Sequence, residues 1–422
     1  MSKPVTERRW TDGIGPAILV LVAVVVVGTV WVAAARAGGV GVWTSVTGKT
    51  GTNLTQVDAA KRPDGKLAVV WVRRTPSAST QDVMLRTISA GGTNGALQSV
   101  QSSWATLNNP AYLLSTDLSL EGVFYGGIRS IAPGEVHDGL SFSWSTFAAP
   151  GWSLTPTIID DQTSGSNAYA SDVEAVATNG PDGYYFTWFG SSGVWVHATT
   201  SDAAPNFSFN TGLGGFGYYS SLGYDKASNL VWVAWASNAT ANPGVWASVV
   251  NQATGAPAGI RIRLPNSATL WGGSQQFAMM LSKVPITGRP TGEGVYVAYP
   301  TGYPTPTVVR LWKLVPRAVD SRMLIVAGGA AAKRQSAVAA APDGRVWVVW
   351  SQTHGSRSKI FVRRSNTSVT QFGPVKSLVT PPGYSTVWHL AAVVRNGRLD
   401  VLAHASGSKP AATLHVQFKP PT

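Results

Sequence analysis

One phrase recurs along this chain and restricts its fold more than any other feature: a short apolar strand, a tight turn, then an apolar strand that ends in an aromatic residue. Three copies are plain in the sequence, running Ala59 to Trp71, Glu174 to Trp188 and Ala337 to Trp350, each turning on Pro-Asp-Gly at Pro63-Asp64-Gly65, Pro181-Asp182-Gly183 and Pro342-Asp343-Gly344. Proline presets φ at the second turn position and glycine accepts a positive φ, so the tripeptide directs the chain back on itself. Weaker copies surround Gly122, Asn229, Gly294 and Gly397. Taking Gly65, Gly122, Gly183, Asn229, Gly294, Gly344 and Gly397 as markers, the intervals are 57, 61, 46, 65, 50 and 53 residues. That length suits a four-stranded unit with variable loops, the period of propeller blades.

The rest of each unit agrees. The second strands, such as Leu67–Trp71 and Val346–Trp350, are continuously apolar rather than alternating, as expected where both faces of a sheet are buried against neighbours. Third strands follow at Val83–Arg86, Val194–His197, Val245–Ser248, Val308–Trp312 and Ile360–Arg363. The last unit ends after its third strand, Leu414–Phe418, and Val40–Val46 ahead of the first unit supplies the missing outer strand, closing the ring and removing an open edge. The fold class is therefore all-β: a seven-bladed β-propeller over residues 40–422, with six blades as the alternative if Ser130 to Asp160 is an insertion. With 45 glycines, 26 prolines and no cysteine, stability must come from packing, and the 17 tryptophans are the material for it.

Ahead of the propeller, no charge interrupts the apolar run from Ile14 to Ala35, which is long enough to span a hydrocarbon layer and lacks the polar stripe of a soluble helix. Lys3, Arg8 and Arg9 precede it, so residues 1–13 are expected in the cytoplasm, 14–36 as a transmembrane anchor or signal segment, and the propeller outside. The localisation expected is the cell membrane, single-pass, with secretion after cleavage near Ala37 as the alternative. The partners expected are the membrane, through this helix, and an anionic polysaccharide or protein, because the 33 Lys plus Arg against 20 Asp plus Glu leave a net charge of +13. Nucleic acid is not expected: the basic residues are scattered, as at Arg73-Arg74, Lys333-Arg334 and Arg363-Arg364, without a stripe or motif.

The Ala-x-x-Pro-Asp-Gly-x-x-x-Val-x-Trp phrase resembles that of sialidase-like propellers of exported bacterial proteins. The resemblance covers most of residues 40–422 and concerns the fold. Two sialidase motifs, the Asp-box Ser-x-Asp-x-Gly-x-Thr-Trp and Phe/Tyr-Arg-x-Pro, are absent, so no catalytic residue carries over.

Binding residues of a propeller sit on loops between second and third strands and between blades. Those stretches hold Arg73, Arg74, Arg129, Glu135, His137, Asp138, Asp160, Asp161, Asp172, His354, Arg357, Trp271 and Trp388. Arg129 and Arg357 are candidates to hold an anionic sugar, Asp160-Asp161 a pair with the chemistry of glycoside hydrolysis, and Glu135-x-His137-Asp138 a partial metal shell. Solvated or turn-capping residues are the preferred reading of these acids, because adjacent acids in Ser/Thr-rich loops usually serve that way. No cofactor or metal is called for, and the tryptophan closing each second strand belongs to the core. The preferred function is a binding module for an anionic glycan, wall polymer or protein. The alternative is a sialidase-like glycan hydrolase or lyase, which needs two carboxylates, or a Tyr-Glu pair with arginines, converging at the central channel.

Overall fold

The computed structural model describes residues 39–420 apart from 48–56, 75–79, 109, 116, 133–134, 149, 154–156, 162–170, 179–182, 191–192, 200–206, 211–216, 238–241, 251–260, 268–282, 290, 303–304, 317 and 321–322. The apolar run from Ile14 to Ala35 lies outside the described residues. Among the described residues no helix is long and apolar enough to cross a membrane.

The fold is an all-β propeller. It begins with β1 (Thr44–Ser45). The first sheet is β2 (Asp58–Lys61), β3 (Leu67–Arg74), β4 (Gln81–Ile88) and β5 (Asn94–Trp104), hydrogen-bonded in that order. In the second, β6 (Thr106–Leu107) and β7 (Ala111–Leu114) both pair with β8 (Leu120–Ala132), followed by β9 (Glu135–Thr146) and β10 (Thr157–Asp161). The third holds β11 (Ser171–Ala177), β12 (Tyr184–Gly190), β13 (Gly193–Thr199) and β14 (Phe207–Asn210), and the fourth β15 (Gly217–Asp225), β16 (Leu230–Ser237), β17 (Gly244–Val250) and β18 (Ile262–Arg263). The fifth contains β19 (Ile286–Gly288), β20 (Val295–Thr301), β21 (Val308–Val315), β22 (Ala318–Val319) and β23 (Leu324–Ala327), the last two both on β21. The sixth is β24 (Lys333–Ala340), β25 (Val346–His354), β26 (Arg357–Arg364) and β27 (Lys376–Val379). The seventh is β28 (Thr386–Arg395), β29 (Arg398–Ser406) and β30 (Ala412–Phe418), with β1 on its outer edge.

First strands pack side by side around the centre: β2 against β7, β7 against β11, β11 against β15, β15 against β19, β19 against β24, β24 against β28, and β28 against β2. The second strands are buried through long runs, for example every residue of β20 and Leu67 to Val72 of β3, because each sheet is covered on both faces. The core accordingly lies between sheets. Trp347 and Val349 of β25 meet Val401 and Ala403 of β29, and Leu67, Val69 and Trp71 of β3 meet Val46 and Leu402. Phe124 of β8 stacks on Phe142 and Phe186, with centroids 4.3 and 5.0 Å away, joining the second and third sheets. A buried tryptophan removes about 150–250 Å² from water, roughly 4–6 kcal/mol before entropy is counted. Trp71, Trp235 and Trp350, each 1% exposed, confirm that the tryptophan closing these second strands is core.

The described turns follow the sequence with one exception; Pro181 and Asp182 of the third Pro-Asp-Gly lie outside the described residues. Gly65 (φ 78°) and Gly344 (φ 81°) take up the left-handed conformation that Pro-Asp-Gly requires. Gly122, counted above as a turn marker, is instead inside β8, where an added Cβ would meet the Phe142 ring at 2.2 Å; the turn lies ahead of it, where Ser115 N–H donates to Leu120 O and Leu118, at φ 59°, donates its N–H to Ser115 O. The stretch from Ser130 to Asp160 is also no insertion as such: most of it forms the ends of β8 and β10 and all of β9.

The ring is closed by strands from both ends of the domain, as the sequence suggested. Thr44 pairs with His415 and Ser45 with Leu414, while Gly41 N–H donates to Gln417 O at 2.9 Å and Val46 N–H to Thr413 O at 2.8 Å. A buried polar cluster backs this seam. Asp400 accepts from Arg395 Nε (3.0 Å), Arg395 Nη2 (2.8 Å) and Gln417 Nε2 (2.9 Å), and His415 Nε2 lies 2.7 Å from it. Arg395 Nη1 then donates to Ile88 O (2.6 Å) and Gly65 O (3.3 Å) of the first sheet, so the cluster ties the seventh sheet to the first. The fourth and fifth sheets are joined likewise, through Gly294 N–H donating to the buried Asp225 carboxylate at 2.6 Å.

Candidate functional site

Because first strands converge on the axis, they have little room for bulk, and β2, β24 and β28 accordingly carry Ala59, Ala60, Ala337, Ala339, Ala391 and Ala392 there. The space between them, the middle of β15 and the start of β19 is a cavity of about 360 Å³. Its walls are largely backbone and small side chains. The chemistry is concentrated in Asp58, Lys61, Lys283, Ser336 and His389.

His389 sits on β28 directly across from His404 on β29, at a register shift between Val387 and His389 that re-aims the side chain. The two imidazole rings are 5.5 Å apart. His389 lines the cavity, and its Nδ1 is buried without a hydrogen-bond partner. Burial pushes its pKa well below the ordinary 6.5, and the neighbouring His404 and the Lys283 ammonium push the same way. It is therefore a neutral imidazole at neutral pH. Asp58 is already engaged: its Oδ2 accepts the Tyr112 backbone N–H at 2.8 Å, fastening β2 to β7.

Hydrolysis by two carboxylates finds no support in this lining, since Asp58 is the one carboxylate among the described residues of the cavity wall. A Tyr-Glu-Arg set does exist elsewhere. Tyr112 Oη donates to Glu121 Oε2 at 2.5 Å, and Arg62 Nε lies 3.2 Å from the same oxygen. None of the three lines the cavity. Arg62 lies in the β2–β3 turn and Glu121 beside the β7–β8 turn, so the set bolts neighbouring sheets together at one end. Burial, then the Glu121 charge, pushes the Tyr112 phenol far above its ordinary value, the opposite of what a phenolate nucleophile needs.

The residues singled out from sequence are distributed as follows. Arg129 pairs in register with His137, Ile128 with Asp138, Leu140 with Asp160 and Gly139 with Asp161, so one end of the second sheet gathers Arg129, Glu135, His137, Asp138, Asp160 and Asp161 on the backbone. The acids and the histidine were expected in loops; β9 and β10 hold them in strands because the hairpin extends far beyond its sheet core. Arg357 opens β26 in the sixth sheet, with Nη1 donating to Thr380 O at 3.3 Å, and pairs with the exposed His354. It belongs to a different sheet from Arg129. Arg73 is taken up by Asp82 at 3.0 Å, and Trp388 Nε1 donates to Ser406 Oγ at 2.7 Å. Arg74 ends β3 exposed, Asp172 lies on β11, and Trp271 lies outside the described residues. Among the described residues no group of three or more His, Cys, Asp or Glu is placed to hold a metal.

Sequence reasoning missed Lys283, His389 and His404. A signal was present for one of them: His389 is the polar interruption of Trp388-His389-Leu390-Ala391-Ala392, a first strand whose neighbours are apolar.

No family model matches the chain, and no curated protein matches it. Solved structures do. A Dyadobacter fermentans protein of unknown function aligns over 90% of this chain and 98% of its own at 11% identity, with a TM-score of 0.50. The Trypanosoma rangeli sialidase, solved with the inhibitor DANA, aligns over 88% of this chain at 7% identity and a TM-score of 0.48, and the match spans 55% of that sialidase. The α-L-arabinofuranosidase of Fusarium graminearum, solved with arabinobiose, aligns over 89% of this chain and 98% of its own at 11% identity and a TM-score of 0.46. The likeness to sialidase-like propellers is one of fold.

Proposed function

We propose that this protein is a membrane-tethered propeller that acts outside the cytoplasm as a binding module for an anionic glycan or wall polymer, received at the channel. The observation that carries the reading is the channel lining: among the described residues it includes Lys61 and Lys283 and one carboxylate, Asp58, which accepts the Tyr112 amide. Two lysines favour anions, and the described lining holds no pair of acids. The net charge of +13 supports the same partner class. The tether rests on the uncharged run from Ile14 to Ala35 behind Lys3, Arg8 and Arg9. A count of seven blades for the ring is part of the proposal, supported by the seven sheets and the order in which first strands adjoin.

Full-length protein in detergent, passed over polygalacturonate and dextran matrices, tests the function. Retention on polygalacturonate alone, without release of reducing sugar, is the expected result; no retention, or steady sugar release, overturns it. Protease added to spheroplasts tests the topology, and a mature N-terminus at Gly38 would replace the tether with secretion.

A further inference from the structure

We infer that the outer corner where the sixth and seventh sheets meet is a lipid-binding surface: Lys376, Arg398 and Lys419, together with Val42 and Val375, lie on the anionic headgroups of the bilayer that holds the tether. This rests on the tethered reading above and adds to it a membrane contact made by the propeller itself.

Three observations converge. The positive charge of the propeller is confined to its last part. Residues 38–320 hold 16 Lys plus Arg and 16 Asp plus Glu, whereas residues 321–422, which form the sixth and seventh sheets and β23 ahead of them, hold 13 and two. Both of those acids are spent on arginines, Asp343 on Arg364 at 2.6 Å and Asp400 on Arg395 at 2.8 Å. Hydrogen bonds then gather part of this charge at one corner. Lys376 Nζ, on the outermost strand of the sixth sheet, donates to Lys419 O at 3.1 Å and Pro420 O at 2.9 Å, and Arg398 Nη1 donates to Gln417 Oε1 at 3.3 Å. These acceptors are neutral, so the three cations at the end of β30 keep their charge for a partner. Gly41 N–H donates to Gln417 O, and Trp43 Nε1 to Val379 O of β27 at 2.8 Å, which fastens the intervening Val42 to the same corner. Val42 is 52% exposed there, and Val375, next to Lys376, is 48% exposed. Apolar side chains among cations suit a lipid interface, which takes up both; a soluble anionic chain would use the charge and leave the valines in water. Chain length supplies the third observation. Only Arg36 to Gly39 separate Ala35, the end of the apolar run, from Val40, which bridges Gln417. Five Cα steps reach about 18 Å at most, so a membrane-held tether keeps this corner within that reach of the headgroups. Each basic side chain at an anionic surface is worth about fivefold in affinity, and three are worth on the order of a hundredfold.

The chain has no cysteine, so V375C takes a single fluorophore. Labelled full-length protein is reconstituted into liposomes of phosphatidylcholine alone, or of equal parts phosphatidylcholine and phosphatidylglycerol, that carry a nitroxide quencher on their headgroups. The fluorophore should be quenched several-fold more in the anionic liposomes, and molar salt should abolish the difference. A fluorophore at A227C, on the β15–β16 turn of the fourth sheet, should show no such difference. K376Q/R398Q/K419Q should lose the difference while K376R/R398K/K419R keeps it, which separates lost charge from misfolding. Quenching that ignores phosphatidylglycerol, that is equal at A227C, or that survives in the glutamine variant would overturn the proposal. If instead the glutamine variant loses only its retention on polygalacturonate, the corner is a glycan site and the lipid assignment falls. Alkaline extraction of the liposomes keeps the two readings apart. Protein that resists extraction but ignores lipid charge leaves the tether standing and removes the headgroup surface; protein that is extracted, yet answers phosphatidylglycerol through the three cations, leaves the surface standing and removes the tether.

Discussion

Replacing Asp400 with asparagine removes the buried negative charge of the cluster that ties the seventh sheet to the first. Its carboxylate is fully buried, as is the Arg395 side chain at 1% exposure, and receives Arg395 through two nitrogens, Gln417 through one and His415 at 2.7 Å. Asparagine keeps a single acceptor oxygen and turns an NH₂ group toward donors, leaving the guanidinium both uncompensated and short of an acceptor. Breaking a buried pair from one side costs about 3–5 kcal/mol. For a unit of about 380 residues, at roughly 2.1 cal/mol/K per residue, the unfolding entropy is near 0.8 kcal/mol/K, so the melting temperature should fall by about 4–6 °C. Scanning calorimetry of full-length D400N reads this directly. The double variant R395M/D400L, with no buried charge left over, should lose less than the sum of its two singles. A fall of about 1 °C or less, or full additivity, would refute the view that this cluster holds the ring shut.

Four further outcomes follow from the same structure. His389 has its pKa depressed from 6.5, so its neutral form stabilises the fold above pH 6.5, and stability declines as pH falls from there toward the lowered value; H389Q should abolish that decline in a series of melting curves. Asp400, depressed from 3.8 by His415 and Arg395 against the opposing effect of burial, adds a second decline confined below pH 3.8. Gly288→Ala should destabilise by about 3 kcal/mol or more in chemical denaturation, because its Cβ would lie 1.7 Å from the Tyr224 carbonyl oxygen, a backbone atom that cannot swing away. Trp232→Phe should cost only about 1–2 kcal/mol against about 3–5 for Trp232→Ala, since the buried indole N–H has no acceptor to lose; equal losses would show that the nitrogen is bonded after all.

What the sequence determined by itself was local and repetitive. Pro-Asp-Gly fixes a hairpin whatever surrounds it, the unbroken apolar second strands announce sheets covered on both sides, and a last unit short of one strand calls for Val40 to Val46 to complete it. Gly122 misled because a glycine after an acid reads as a turn, whereas here a stacked Phe142 leaves no room for a Cβ. Charge was harder to read. Arg73, Arg363 and Arg364 looked like surface, yet Arg73 is spent on Asp82, Arg364 on Asp343, and Arg363 on the carbonyls of Val326, Phe372 and Gly373. The channel residues were illegible for the same reason. Lys283 and His389 are separated by about a quarter of the chain, and only the closing of the ring and the register of β28 on β29 bring them to one lumen. A turn depends on the dihedral preferences of a few adjacent residues; a site at the axis depends on where every sheet in the circle places its first strand.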